Sequence, residues 1–312
     1  MKNMITMAVY FDVPDAHGYP FDKADYFEAY AELTQYLAER SIDLVIVRSM
    51  QSYEGGGKFE RSWKIIDGEL IENGPVTVKL VYDKGANRTS AITDIKLINC
   101  DEIEDICSDK RVTQEKFPDI SPKSFYSDRD SVEKVREAFS GEEKIVVKPL
   151  DGFGGEGVVI TDVDSACEIY KQSDQTMLAQ QFIDTSKGIT GITDGMHDLR
   201  AVVINGYTAL CYLRIPAEGS LISNYSLGGT IRYVSSEKLP DAALELIARI
   251  DNELSEFGHR VYSIDMAFEG DRAYLIELNA RPGINSTTRG KEAIPYMDAL
   301  SNLLALAATE LE

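Results

Sequence analysis

Apolar positions in the first third of the chain alternate between strand-like runs and a helical pattern. The run at 4–11 predicts a strand, and apolar residues at helical spacing predict an amphipathic helix at 23–40. The short apolar run at 44–47 is typical of a buried parallel strand. Further strands are predicted at 64–70 and 76–82. Strand, helix and strand in this order indicate a right-handed βαβ unit in an α/β lobe.

The middle of the chain is predicted to open with a connection. Pro118 and Pro122 favour a connecting region at 109–124, and a short helix capped by Ser131 follows. Two strands then flank a glycine-rich stretch. The elements predicted after it are a helix at 164–172, strands at 177–183, 199–203, 208–213 and 231–234, a helix at 241–257, a hairpin of 261–268 with 272–278, and a last helix from about 295.

Composition and charge limit the classes of function. The 312 residues are 44% hydrophobic and 27% charged, which is typical of a folded chain of two or three lobes. The net charge of −20 disfavours a nucleic-acid partner, because phosphate backbones are bound by basic surfaces. No segment approaches the roughly 20 apolar residues that span a bilayer. The four cysteines lack CxxC spacing and the start of the chain is typical of a strand, so we expect a cytoplasmic enzyme or binding protein.

The glycine-rich stretch follows a strand that ends in Lys148. Gly152, Gly154, Gly155 and Gly157 free the backbone to bring N–H groups against an anion, and Lys148 adds a cation that suits a phosphate. Because strands flank the stretch, it is interpreted as a flap over phosphates. The P-loop pattern is absent. The alternative is an ordinary glycine hairpin.

The hairpin near the end of the chain carries oxygen ligands. Glu277 and Asn279 share one face of a strand, and Asp265 lies opposite Glu277 to within one residue, counted from the turn. Two carboxylates and an amide suit Mg²⁺. The alternative is a solvent-facing acidic strand edge.

Three arginines occupy strand ends or turns near these elements. Arg200 follows Asp198 on one strand, Arg214 ends the next strand before the polar loop at 223–230, and Arg281 follows the hairpin. An arginine in such a place can stabilise charge on a phosphoryl group or a tetrahedral carbon. Each could instead form a structural ion pair.

Taken together in this order, these segments resemble the ATP-grasp superfamily, in particular its glutathione synthetase-like branch. The motifs are the stretch 146–157, the Asp198–Arg200 pair followed by 213–230, and Asp265 with Glu277 and Asn279. The resemblance implies an α/β (α+β) ATP-grasp fold of three lobes. These are a Rossmann-like substrate domain at 1–108, a small lobe with the flap at 109–183, and a lobe with the metal hairpin at 184–312, the last two clamping ATP.

The resemblance also implies roles for single residues. Lys110 and Lys148 would bind the ATP phosphates under the flap glycines Gly152, Gly154 and Gly155. Gln180, Gln181 and Ile183 would hold adenine, with Asp198 also on the nucleotide side. Arg200, Arg214 and Arg281 would act on the substrate side, and Asp265, Glu277 and Asn279 would bind Mg²⁺.

The implied reaction is carboxylate–amine ligation through an acyl phosphate, with release of ADP and phosphate. It would use ATP and two Mg²⁺ ions, with Mn²⁺ as a substitute, and a small-molecule or peptide acid and amine as partners; a homo-oligomer is one option. The ending at 277–283 resembles peptide and amino-acid ligases as much as glutathione synthetase, so glutathione is not indicated as the product. An ATP-grasp kinase and a non-catalytic ATP-binding regulator remain alternatives.

Overall fold

The structure, a computed structural model, describes residues 4–85, 92, 94–127, 132–150, 157–217, 219–221 and 228–311. The predicted flap glycines Gly152, Gly154 and Gly155 lie outside these residues, as do the Ser131 cap and most of the polar loop at 223–230.

A mixed sheet forms the first part of the chain. Its central strands β1 (Ile5–Phe11) and β2 (Ile42–Arg48) pair in parallel, and helix α1 (Ala24–Glu39) joins them. The following strands are β3 (Tyr53–Gly55), β4 (Lys58–Phe59), β5 (Trp63–Ile66), β6 (Glu69–Glu72), β7 (Val76–Thr77), β8 (Leu80–Asp83) and β9 (Lys96–Ile98). The sheet order is β6-β5-β2-β1-β8-β9, and β3, β4 and β7 form a small separate sheet. The predicted strand–helix–strand unit is confirmed.

The single strand predicted at 64–70 is wrong. Asp67 and Gly68 have positive φ values of 50° and 79°, so the chain turns back between β5 and β6, which pair as an antiparallel hairpin. The strand predicted at 76–82 is likewise divided into β7 and β8.

The connecting region predicted at 109–124 contains a helix. Helix α2 (Asp101–Ser108) is followed directly by α3 (Lys110–Lys116). Asp109 caps α3, because its Oδ1 accepts hydrogen bonds from the N–H groups of Arg111 and Val112. The helix thereby begins at Lys110.

A four-stranded antiparallel sheet follows in the order β10-β13-β11-β12. Its strands are β10 (Ser124–Ser127), β11 (Ile145–Pro149), β12 (Val159–Thr161) and β13 (Met177–Gln181), with helices α4 (Val132–Ala138) and α5 (Val163–Gln172) packed on one face. The predicted strands on either side of the glycine-rich stretch are β11 and β12, and they pair with each other. Gly157, at the end of that stretch, has φ 72°, and a Cβ there would lie 2.9 Å from Pro149. Glycine is therefore required at this position.

The last sheet is antiparallel, in the order β16-β15-β14-β17-β18. Its elements are β14 (Asp198–Ile204), β15 (Tyr207–Ile215), β16 (Thr230–Val234), helix α6 (Asp241–Leu254), β17 (Val261–Glu269), β18 (Arg272–Asn279) and helix α7 (Ile294–Thr309). Both faces of this sheet are buried. Leu199 and Val203 of β14 join the core with α2 and α6, whereas Val202 and Ile204 join the core with α1, α7 and the first sheet. Among the described helices, none is long and apolar enough to cross a membrane.

Candidate active site

One face of the last sheet carries charged side chains at its end. Asp198 and Arg200 share the β14 face of Val202, because alternate residues of a strand point the same way. Antiparallel pairing places Arg214 of β15 opposite Asp198, and Asp265 of β17 opposite Arg200. The register therefore brings two arginines and two aspartates together at one end of this face.

These four side chains form a network that we call the arginine–aspartate cluster (Asp198, Arg200, Arg214, Asp265). The Arg200 guanidinium donates two hydrogen bonds to the Asp265 carboxylate, at 2.5 and 2.7 Å. Arg214 donates to Asp265 Oδ2 at 2.5 Å and to Asp198 Oδ1 at 2.8 Å. All four side chains are largely buried, so the ion pairs act in a medium that screens them weakly.

The two carboxylates of the cluster titrate differently. Burial alone would raise the pKa of Asp265, but the charges of Arg200 and Arg214 and their hydrogen bonds lower it to about 2. Burial raises the pKa of Asp198 above its usual range, against the opposing charge of Arg214. The two arginines therefore favour the ionised form of Asp265.

Two lysines approach the same face from the neighbouring elements. Lys148, at the end of β11, is buried, and its Nζ donates to Gln180 Oε1 at 3.2 Å. Burial lowers its pKa, while the charge of Glu277 opposes that change. Lys110 begins α3, and its Nζ donates to the Leu150 carbonyl at 2.8 Å and lies 3.6 Å from Glu277 Oε1.

The candidate metal ligands lie on paired strands. Asp265 is opposite Glu277, with a bulge between Asp265 and Met266, and Asn279 shares the face of Glu277. The predicted opposition to within one residue is confirmed. Asn279 Oδ1 accepts a hydrogen bond from the Arg281 N–H at 2.8 Å. The described residues hold no group of three His, Cys, Asp or Glu side chains fit for a metal, but two carboxylates and an amide are hard oxygen donors of the kind that suit Mg²⁺ beside phosphates.

Arg281 forms ion pairs with residues of β8 and α2. Its NH2 lies 3.1 Å from Asp83 Oδ2 and 3.1 Å from Glu104 Oε2, and it also donates to the Gly85 carbonyl. These contacts join the end of β18 to β8 and α2. Such structural ion pairs were the alternative to a role of Arg281 in stabilising substrate charge.

A cavity of about 950 Å³ runs along this face between the lobes. All of the predicted site residues in the described part of the chain line it: Lys110, Lys148, Gln180, Gln181, Ile183, Asp198, Arg200, Arg214, Asp265, Glu277, Asn279 and Arg281. The structure thus brings together residues from α3, the four-stranded sheet and the last sheet at one cavity.

Residues 110–288 match a family model described as the ATP-grasp domain of prokaryotic glutathione synthetase. This match covers more than half of the chain. The chain belongs to this family. ATP-grasp proteins in general use ATP and Mg²⁺.

Relatives within the ATP-grasp family share part of their length with the chain. A probable alpha-L-glutamate ligase of Hydrogenovibrio crunogenus is 28% identical over 180 residues, which are 56% of this chain and 54% of that protein. A glutathione synthetase of Brucella melitensis is 30% identical over 180 residues, which are 55% of this chain and 52% of that protein. The chain spans about half the length of these relatives.

The solved structure of D-alanyl-alanine synthetase A from Vibrio cholerae is similar over almost the whole chain. It has a TM-score of 0.64 at 15% identity and covers 99% of this chain and 100% of that one. At this identity the similarity concerns the fold. The predicted α/β (α+β) ATP-grasp fold is confirmed.

The ATP-grasp cavity also includes residues that the sequence did not single out. His197 is buried beside Asp198, its Nε2 has no hydrogen-bond partner in the described part of the chain, and burial lowers its pKa. Tyr19, Lys23 and Tyr26, from the segment before α1 and its start, also line the cavity. They carry no motif, and only the packing of the first lobe against the last sheet places them there.

Proposed function

We propose that the chain is an ATP- and Mg²⁺-dependent ligase that activates a carboxylate as an acyl phosphate and joins it to an amine. The observation that carries this proposal is the lining of one 950 Å³ cavity by the two lysines, the arginine–aspartate cluster and the candidate metal ligands. Such a volume accommodates a nucleotide and small substrates. The relatives named glutamate ligase and glutathione synthetase support the same chemistry.

The nucleotide is proposed to lie at the end of the cavity formed by the four-stranded sheet. Lys110 and Lys148 would hold the phosphates, since both amino groups lie near Glu277 where the lobes meet. Gln180, Gln181 and Ile183 would hold the adenine, beside apolar side chains of the same wall (Val146, Ile160, Phe182). The covering of the phosphates by Gly152, Gly154 and Gly155 stays a prediction.

Asp265, Glu277 and Asn279 are proposed to hold Mg²⁺, and the expected number of ions is two, with Mn²⁺ as a substitute. When bound, the metal would neutralise phosphate charge and favour phosphoryl transfer. Glu277 is the ligand with the more open side chain, at 35% exposure against 4% for Asp265. It can therefore change partners without leaving a buried arginine unpaired.

Arg200 and Arg214 are proposed to stabilise negative charge on the transferring phosphoryl group and on the carbonyl under attack. Their hydrogen bonds to Asp265 hold both guanidinium groups in place before substrate arrives. A fixed cation in a weakly screened site stabilises developing charge without reorganisation. Because Arg281 is already bound to Asp83 and Glu104, we propose that it shapes the turn beside Asn279.

Each of three parts of the chain is proposed to form a domain with its own role. Residues 1–108 would form the substrate domain, 109–183 the small ATP-grasp lobe and 184–312 the lobe with the metal hairpin. Location in the cytoplasm and self-association stay predictions, and light scattering of the purified chain would measure the second.

The proposed ligase activity is tested by the release of ADP. Purified protein with ATP and Mg²⁺ is given amino acids or short peptides as acids, together with amines. We expect ADP to form only when both an acid and an amine are present, in amounts equal to the amide produced. ADP formed with a hydroxyl acceptor and no amine would favour a kinase. ATP binding without ADP under any combination would favour a regulatory protein.

A further inference from the structure

A buried arginine fixes one wall of the cavity at its first-lobe end. Arg48, the last residue of β2, is 1% exposed and has no carboxylate within salt-bridge distance in the described part of the chain. Its guanidinium lies over the rings of Phe11 and Phe21, with centroids at 5.1 and 5.0 Å. It donates to backbone carbonyls of the segment 13–19, namely those of Val13 (3.4 Å), Ala16 (2.9 Å), Gly18 (3.3 Å) and Tyr19 (2.7 Å).

These bonds determine the course of the segment between β1 and α1. Since one planar guanidinium donates to four carbonyls, its hydrogen bonds restrain the backbone of the segment. Among the described residues, the side-chain hydrogen bonds of Arg48 go to this segment and not to the proposed nucleotide and metal residues. Its effect is therefore on what the segment presents to the cavity.

The segment and the start of α1 present what we call the tyrosine–lysine wall (Tyr19, Lys23, Tyr26). The rings of Tyr19 and Tyr26 lie 5.8 Å apart at 60°, and Lys23 Nζ lies 5.4 and 5.9 Å from their centroids. Tyr19 is 43% exposed although it is a large aromatic residue, and all three side chains line the cavity. The wall offers exposed ring surface beside an amino group.

The segment after β18 borders the same end of the cavity, where Gly283 approaches Tyr26. Glu32 of α1 accepts hydrogen bonds from the Ser286 hydroxyl at 2.8 Å and the Thr287 N–H at 2.9 Å, and Asp25 pairs with Arg289. These contacts join α1 to the segment after β18 at this end of the cavity. They also occupy the Asp25 carboxylate.

Lys23 and Arg289 line the cavity at this end, in a chain with a net charge of −20, and the carboxylates of Asp22 and Asp25 lie near Tyr19. Asp25 is the carboxylate that lines the cavity here among the described residues, and it faces Arg289. In the same part of the chain Lys23 has no carboxylate partner within 4.0 Å. An anion on the substrate would complete this arrangement.

We propose that the tyrosine–lysine wall is a specificity subsite that binds the part of a substrate away from the reacting group. It would take a carboxylate at Lys23 and an adjoining aromatic or apolar group against Tyr19 and Tyr26. This inference rests on the proposed ligase function. The carboxylate could belong to the acid or to the amine, since both share this chemistry.

The test measures binding separately from turnover. The full chain, saturated with AMPPNP and Mg²⁺, is titrated calorimetrically with glycyl-L-phenylalanine, with its C-terminal amide and with glycylglycine. We expect the free acid to bind at least about tenfold more tightly than the amide, as for a charged hydrogen bond of about 1.4 kcal/mol. Lys23→Met should abolish this difference, and Tyr26→Leu should abolish the preference over glycylglycine.

The matched control is Lys134→Met, an exposed lysine on α4 away from the cavity. It should leave all dissociation constants unchanged, and Lys23→Met should leave that of AMPPNP unchanged. Equal binding of acid and amide by the unsubstituted chain, or an unchanged ratio in Lys23→Met, would overturn the subsite. The proposed function fails by a different result, the absence of ADP release.

Steady-state kinetics then identify which substrate carries the carboxylate. With hydroxylamine as the amine, a tenfold rise in the KM of the acid in Lys23→Met assigns the subsite to the acid. With glycine in place of hydroxylamine, so that the amine also bears a carboxylate, a rise confined to the KM of glycine assigns the subsite to the amine. An unchanged KM for both would contradict the proposal.

Discussion

Asp265 and Glu277 differ sharply although they are paired on neighbouring strands. Asp265 accepts hydrogen bonds from Arg200 and Arg214, whereas Glu277 Oε1 lies 3.6 Å from Lys110 Nζ. Loss of the Asp265 charge leaves the buried Arg200 guanidinium without its carboxylate partner, whereas Glu277 is itself 35% exposed and lies 3.6 Å from Lys110. We therefore expect substitution of Glu277 to lower activity and substitution of Asp265 to lower the stability of the fold.

Glu277→Ala should lower the rate of ADP formation by at least about 100-fold, as for removal of a group that stabilises transition-state charge. Its midpoint of urea unfolding should match that of the unsubstituted chain. Asp271→Asn, an exposed carboxylate in the turn of the same hairpin, is the control. A near-normal rate in Glu277→Ala with Mg²⁺ present would contradict the metal assignment.

Asp265→Asn should lower the free energy of unfolding by about 3 kcal/mol, because breaking a buried ion pair leaves the remaining charge uncompensated. The measurement is urea unfolding at pH 7. Since the folded-state pKa is lowered to about 2, the Asp265 contribution is present above about pH 4 and is lost as the pH falls below that value. A loss of activity with full stability would show that the network does not support the fold.

At the scale of elements, one β-bulge determines which face of the β17–β18 hairpin carries Glu277. Uninterrupted pairing from the turn would place Ile276 opposite Asp265 and turn Glu277 to the other face. The bulge between Asp265 and Met266 shifts the register by one residue, and Glu277 then faces the cavity with Asp265. The sequence predicted the opposition only to within one residue, because nothing in it marks a bulge.

The elements that the sequence did not predict are too short to show a clear periodic pattern. Asp67 and Gly68 are a short turn inside a run of strand-forming residues, and α3 has only seven residues, too few for a clear helical period. Longer elements such as α1, α6 and the strands of the last sheet were predicted to within a few residues, because their apolar pattern repeats.

The end of the first sheet is joined to the β17–β18 hairpin by one side chain. Asn99 is buried after β9, and its Nδ2 donates to the carbonyls of Val261 at 2.7 Å and Ala280 at 2.6 Å. Its Oδ1 accepts from the Val261 N–H at 2.8 Å. Asn99 therefore fixes both strands of the hairpin relative to the first lobe.

Asn99→Ala should lower the free energy of unfolding by about 2 to 3 kcal/mol, because it leaves buried backbone groups without partners. Urea unfolding measures this loss, with the exposed Asn252→Ala as the control. Equal stability of the two variants would show that the hydrogen bonds of Asn99 contribute little.

At the scale of the whole molecule, the site depends on packing that no local motif contains. The predicted residues between 110 and 281 could be found because strand ends, glycines and acid pairs mark them. The cross-strand partners of Asp265 and the first-lobe wall could not, because they follow from register and from the docking of the first sheet on α7. The first lobe was accordingly the part whose contribution the sequence could not specify.

Lys84 lies where these lobes meet, and its Nζ donates to the Pro282 carbonyl at 2.6 Å. Burial, together with the charge of Arg281, lowers its pKa to about 7. Between pH 7 and about 10 the unfolded chain therefore binds a proton that the folded chain does not, so stability should rise with pH in this window.

Comparison with Lys84→Met isolates this contribution. The free energy of unfolding of the unsubstituted chain should rise relative to that of Lys84→Met from pH 7 to pH 10, measured by urea unfolding. The difference in the free energy of unfolding between the unsubstituted chain and Lys134→Met should stay constant over the same pH range. A constant difference between the chain and Lys84→Met across this range would contradict the lowered pKa.

The central claim, ligation through an activated carboxylate, is tested most directly by trapping with hydroxylamine. The chain is incubated with ATP, Mg²⁺, hydroxylamine and a panel of amino acids and short peptides, and hydroxamate and ADP are measured together. The account predicts equal amounts of hydroxamate and ADP with at least one acid, and the loss of both in Glu277→Ala. ADP formation without hydroxamate for every acid, or hydroxamate formation that persists in Glu277→Ala, would contradict it.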